Sequence, residues 1–165
     1  HAIQMHEIPP TEEDDYFRLE RVQGTVHDMG AAMLDGVSGH AGLFGNAEDL
    51  AAIMQMLLNE GTYEGKRFLS KDAIQSFIHR YPRSTRRALG LDEDKTLNMA
   101  AEASPKTFGH LGFTGTAAWA DPETEIVYIF LSNRTYPTMQ NKRLHDENYR
   151  PKIQSVIYRA LIPER

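Results

Sequence analysis

Apolar residues fall at Leu50, Ile53, Met54, Leu57 and Leu58, the spacing of one helix face. Asn46 is placed to cap that helix, with Asp49 at its third position and Gly61 marking its end. The next stretch reads as a short hairpin turning at Glu64-Gly65, after which Ser70 caps a second helix carrying Ile74, Phe77 and Ile78. A strand is predicted over residues 88–91, followed by a polar loop through Ser104-Pro105. Beyond it the pattern shifts to β. A strand opens on Gly109, Gly112 and Gly115, turns at Asp121-Pro122-Glu123-Thr124, and returns as the run 126–131. That run is apolar without alternation, which predicts a central strand covered on both faces. A last helix enters through Pro151 and lines up Ile153, Val156, Ile157, Ala160 and Leu161. The first 26 residues show neither period and read as an irregular, partly docked arm. Between arm and first helix, five glycines from Gly30 to Gly45 predict a long tight loop.

The elements predict a mixed α/β fold of the α+β type, an antiparallel sheet flanked by helices. The organisation expected is an arm over 1–26 and a single domain over 27–165, since 165 residues suit one core. Only three or four strands are visible, so a strand covered on both faces implies strands supplied from elsewhere.

Charge narrows the partners. A formal net charge of -5 argues against nucleic acid or an anionic membrane surface as the main partner. The acidic excess gathers at Glu12, Glu13, Asp14 and Asp15. No apolar run is long enough to predict a membrane span. The absence of cysteine excludes disulfides and thiol catalysis. No cofactor is implied.

Glycine weakens a strand, and within one it marks a bulge or a place where a ligand or another backbone comes close. Three of them around His110 and Thr114 therefore suggest that something docks along this strand. Here the residues carry a resemblance. The blocks "GTVHDMGAAMLDGVSGHAGLFGNAEDLAAIMQMLLNEGTYEGKRFLS", "ALGLD", "FGHLGFTGT" and "YIFLSNRTYP" occur in order. Together they resemble the C-terminal part of the serine β-lactamase-like family, which includes class C β-lactamases, D-alanyl-D-alanine peptidases and esterases. The wording is also similar to bacterial members fused behind family 3 glycoside hydrolase (β-N-acetylglucosaminidase) domains.

The resemblance implies an antiparallel sheet flanked by helices and three motifs: S-x-x-K, Y-x-N or S-x-N, and K-T-G or H-x-G. His110-Leu111-Gly112 matches the third. It implies that the substrate lies along this strand and that the Phe113 N–H is one of two oxyanion donors, so His110, Gly112 and Phe113 are the candidate catalytic residues. His27, Asp28, His40 and Thr114 are the candidate substrate-binding residues. Hydrogen bonding that stiffens the glycine loop is the plainer account of His27, Asp28 and His40, and a solvated loop the plainer account of Arg80, Arg83, Arg86 and Arg87.

Neither S-x-x-K nor Y-x-N nor S-x-N occurs in the chain. In the family both precede the matched region, so the expectation is roughly the second half of a catalytic domain, inactive alone, whose partner is its own N-terminal half. Self-association through an exposed sheet edge is a further expectation. Where K-T-G binds a substrate carboxylate, this chain has His110 and Leu111, and imidazole is not a permanent cation. An ester or amide substrate, cell-wall peptide included, is expected over penicillin, in a bacterial extracytoplasmic or periplasmic setting. Two alternatives stay open: a non-catalytic binding module on the same fold, and a metal-assisted hydrolase using the histidines.

Overall fold

The computed structural model describes residues 4–79, 91 and 99–162. Apart from Leu91, the strand expected over 88–91 lies outside the described residues, as do Arg80, Arg83, Arg86 and Arg87. The centre is a three-stranded antiparallel sheet of β5 (Phe108–Leu111), β6 (Ala117–Asp121) and β7 (Ile126–Phe130), in that order. Trp119 faces Gly109 on one side and Tyr128 on the other. Preceding it are hairpin β1 (Pro10–Asp14) and β2 (Glu20–Gln23), the single turn α1 (Met29–Ala32), helix α2 (Ala47–Leu58), hairpin β3 (Thr62–Tyr63) and β4 (Lys66–Arg67), and helix α3 (Lys71–Ile78). The short α4 (Arg143–Asp146) and the helix α5 (Tyr149–Leu161) follow it.

Side chains alternate across a strand, so the sheet builds two cores. On one face Phe108 and Ala120 meet Met54, with Leu57, Leu58, Val127 and Ile129 around them. Burying Met54 alone contributes about 2 kcal/mol. On the other face Ala117, Trp119 and Tyr128 meet Tyr158 of α5 and Met99. Helices thus lie on both faces. The apolar run is covered on both sides as its pattern predicts, but β7 is an edge: among the described residues it pairs only with β6, which takes the centre.

Local signals in the middle of the chain are realised. The Asp49 N–H donates to Asn46 Oδ1 at 2.9 Å and the Ala73 N–H to Ser70 Oγ at 3.2 Å, each cap satisfying a helix-end donor. Glu64 and Gly65 both have positive φ, 48° and 76°, the geometry that a two-residue hairpin turn needs.

Three readings are corrected. The segment before residue 26 is no irregular arm: residues 10–23 form the β1–β2 hairpin, held by buried charge. Glu12 and Asp14 are nearly inaccessible, and Arg18 reaches both, at 3.4 and 3.1 Å. Thr135 Oγ1 donates to the Thr11 carbonyl at 2.9 Å, and the Glu13 N–H donates to the Pro137 carbonyl at 2.9 Å, which docks the hairpin on the segment after β7. The glycine loop, expected without regular structure, contains α1. In α5 the apolar stripe, Ile157 excepted, faces outward: Val156 is 67% exposed and Ile153 41%, while Arg150, Gln154 and Tyr158 are buried. Their partners explain the inversion. Gln154 Oε1 accepts from the Ala100 N–H at 2.8 Å, Tyr158 Oη donates to Asp121 Oδ2 at 3.0 Å, and Arg150 Nη1 donates to the Gly115 carbonyl at 3.3 Å.

Candidate active site

Strand β5 has no neighbour on its outer side among the described residues. Its end opens on a cavity of about 890 Å³ whose other walls are the glycine loop, the end of β1 and the residues just after β7. That is within the range of small-molecule sites. All seven candidate residues line it: His27, Asp28, His40, His110, Gly112, Phe113 and Thr114. The structure brings together two groups that the sequence separates by 70 residues or more.

The turn joining β5 to β6 shapes one end of the cavity. The Gly112 N–H donates to the Thr116 carbonyl at 2.9 Å and the Gly115 N–H to the Gly112 carbonyl at 3.0 Å, a tight loop with Phe113 at its tip. The Phe113 N–H has no acceptor among the described residues. His110 is exposed, and its Nδ1 lies 2.6 Å from the Leu111 carbonyl. A carbonyl only accepts, so Nδ1 carries the proton. In the neutral ring that leaves the Nε2 lone pair free for a ligand.

The glycines have another cause than the one expected. A Cβ on Gly109 would lie 1.9 Å from the Ala118 carbonyl oxygen, one on Gly112 2.1 Å from Thr116 Oγ1, and Gly115 sits at φ 102°. Crowding within the sheet and the turn accounts for all three, with no substrate required.

Across the cavity, Asp28 ties the glycine loop to α1. Its Oδ1 accepts from the Ala31 N–H at 2.8 Å and sits 2.8 Å from His40 Nε2, while His40 Nδ1 is 2.6 Å from Ser38 Oγ. The Ala31 N–H first, and His40 second, hold the Asp28 carboxyl below its ordinary range. His27 lies beneath Phe113, ring centroids 5.1 Å apart, with Nε2 3.3 Å from Glu12 Oε2 but not aligned as a hydrogen bond. Among the described residues no cluster of three His, Cys, Asp or Glu side chains could hold a metal ion, so the histidines do not converge on one. No described helix is long and apolar enough to cross a membrane.

The sequence matches the Beta-lactamase family over residues 5–148. The chain belongs to that family. Among curated proteins it is 34% identical over 133 residues to a "Putative D-alanyl-D-alanine carboxypeptidase" of Salmonella gallinarum and to one of the same name in Salmonella typhi. Each alignment covers 78% of this chain and 31% of the relative. The chain therefore spans about a third of the length of the curated relatives it matches.

Within this Beta-lactamase family member, two neighbours of the candidate residues escape a reading of motifs. Arg134 Nε donates to the Phe113 carbonyl at 2.8 Å, with the guanidinium 4.4 Å from the Phe113 ring centre. Glu12 lies buried beside His27. Arg134 stands inside the family-like block "YIFLSNRTYP", which was a signal. Glu12 sits in an acidic run that looks like solvated surface, and nothing local marks it as buried.

Proposed function

We propose that this chain forms one wall of the active site of a serine hydrolase that cleaves an ester or amide, with cell-wall peptide as the substrate class. Residues 27–165 are then the C-terminal part of the catalytic domain. The observation that carries this reading is the Phe113 N–H, without an acceptor among the described residues, at the tip of a turn beside His110, on an open strand edge facing a cavity. Family membership and the name of the relatives, "Putative D-alanyl-D-alanine carboxypeptidase", support it.

In this reading a serine Oγ attacks the substrate carbonyl carbon, and the C=O electron pair moves onto the oxygen. The Phe113 N–H and the nucleophile's own N–H hold that oxyanion. A donor of this kind is worth about 3 kcal/mol in the transition state. The serine proton passes to the activating lysine and from it to the alcohol or amine that collapse expels, and water then releases the acyl group as the acid and returns a proton to the serine. His110 Nε2 accepts a hydrogen bond from substrate or leaving group, while His27, Asp28, His40 and Thr114 contact the substrate. Serine and activating lysine come from the part of the relatives' length that this chain does not span. The parent is bacterial and extracytoplasmic, carries a β-N-acetylglucosaminidase domain as well, and supplies the N-terminal half as this chain's partner.

The test compares the parent protein with this chain on a p-nitrophenyl ester, a peptide ending in D-alanyl-D-alanine and a chromogenic cephalosporin. Expected is turnover of ester or peptide by the parent, its loss with His110→Ala, and none by this chain. Turnover by the chain that survives repurification and disappears with His110→Ala would overturn the division of labour. The alternative reading, a binding module without catalysis on the same fold, is separated by the same assay. It predicts that the parent binds the peptide and turns over none of the three.

A further inference from the structure

We propose that Arg134 is a positioning residue that steadies the turn from which the Phe113 N–H projects. The inference rests on the reading of that N–H as an oxyanion donor and adds what steadies its turn.

Phe113 is 61% exposed at the tip of a turn, so its own packing does little to hold that turn in place. An amide that must meet a developing charge loses much of its value when it swings, because preorganised donors act through fixed direction. The peptide that carries this N–H is held through the Gly112 carbonyl, which accepts from the Gly115 N–H at 3.0 Å, and Arg134 holds the two peptides that follow it. Its Nε donates to the Phe113 carbonyl at 2.8 Å, and its guanidinium lies over one part of the ring at 4.4 Å. Its own N–H donates to the Thr114 carbonyl at 2.9 Å, so main chain and side chain of one residue grip two consecutive peptide units of the turn.

Arg134 is itself anchored. Its Nη1 donates to the Met139 carbonyl at 3.0 Å and the Asn141 carbonyl at 3.1 Å, which turns a flexible side chain into a strut between that loop and the turn. The His27 ring, 5.1 Å from the Phe113 ring, adds a second contact from the cavity wall. No carboxylate pairs with Arg134 among the described residues. Among the described residues all the acceptors of its side chain are backbone carbonyls, which suits a brace. A planar guanidinium can donate from Nε and Nη1 in fixed directions while stacking on a ring, and lysine cannot.

The test uses the parent protein with Arg134→Gln and Arg134→Lys. Expected for Arg134→Gln is a fall in kcat of about 10- to 100-fold with KM changed less than about twofold, the split that loss of transition-state binding gives. Affinity for a boronic acid, which forms a tetrahedral adduct, should fall by the same factor as kcat, and Arg134→Lys should recover only part of either. Unchanged kcat in a folded variant, or a raised KM at constant kcat, would overturn the proposal. A second measurement separates its failure from that of the hydrolase reading: the Phe113 amide cross-peak of this chain, recorded by 15N NMR. If no form of the parent reacts with ester or boronic acid, the hydrolase reading fails. A cross-peak that shifts and broadens in Arg134→Gln still shows the brace, and one that stays unchanged removes it.

Discussion

Asp28 shows how one side chain can serve fold and site together. Its carboxylate caps α1 through the Ala31 N–H and holds His40 at the cavity wall, and the same two partners lower its pKa. Because the folded value is lowered, the tether is complete above the ordinary aspartate value near ~3.9 and is lost as pH falls through the lower folded value. At neutral pH the glycine loop is therefore fixed. Asp28→Asn should keep the cap and weaken the hold on His40, whereas Asp28→Ala should release both and lower the melting temperature. His40 ring signals in NMR would report it, and a ring spectrum identical in all three proteins would contradict the tether. The plainer sequence account, hydrogen bonding that stiffens the loop, holds for Asp28 and His40 and fails for His27, whose Nε2 makes no hydrogen bond among the described residues. What the sequence hid was Ser38 as the third member, and His27 turning away toward buried Glu12.

At the scale of elements, legibility followed locality. Caps, turns and the apolar β7 run declare themselves within a few residues, so α2, the β3–β4 hairpin and β7 could be read directly, whereas the single strand expected from Gly109 to the turn at Asp121 is two, β5 and β6, with residues 112–116 as the turn between them. Elements held by remote polar groups could not be read that way. The β1–β2 hairpin has little apolar pattern because Glu12, Asp14 and Arg18 replace it. Three backbone N–H groups and Arg18 bring the Asp14 carboxyl below its usual range although burial pushes the other way. The buried face of α5 likewise follows Arg150, Gln154 and Tyr158 at steps of four, with partners at positions 100, 115 and 121. Burial pushes the Tyr158 hydroxyl up to about 12, so it stays a donor to Asp121 throughout the neutral range. Tyr158→Phe removes a buried bond to a carboxylate and should cost about 2 kcal/mol. Val156→Ser, on the face the sequence favoured, should lie within about 0.5 kcal/mol of the parent chain. Urea unfolding of the two variants decides which face is the core: a larger loss for Val156→Ser would return the stripe to the interior.

For the whole molecule, the same inversion leaves a surface unlike that of a settled monomer. Ile153, Val156, Leu161 and Ile162 stand exposed along α5, and Met33, Leu34, Val37 and Leu43 along the glycine loop. The outer side of β7 is unpaired among the described residues. Contiguous apolar surface of this extent and a bare strand edge both recruit other chains. The α5 stripe adjoins the cluster that Ile126, Phe130 and Ile157 build on that face, so edge and stripe offer one continuous contact. We predict that the chain, on its own, self-associates through β7 and α5 with a second copy. Its mean mass by light scattering should rise with concentration, and Val156→Glu should return it toward the monomer without loss of fold, because position 156 supports nothing inside its own chain. The acidic balance of -5 opposes association only at long range and is screened beyond roughly 10 Å at 0.1 M salt. Raising the salt should therefore strengthen the self-association slightly. A mass that stays monomeric at every concentration and salt, with Val156→Glu indistinguishable from the parent chain, would show that these faces remain solvated and that exposure here does not translate into contact.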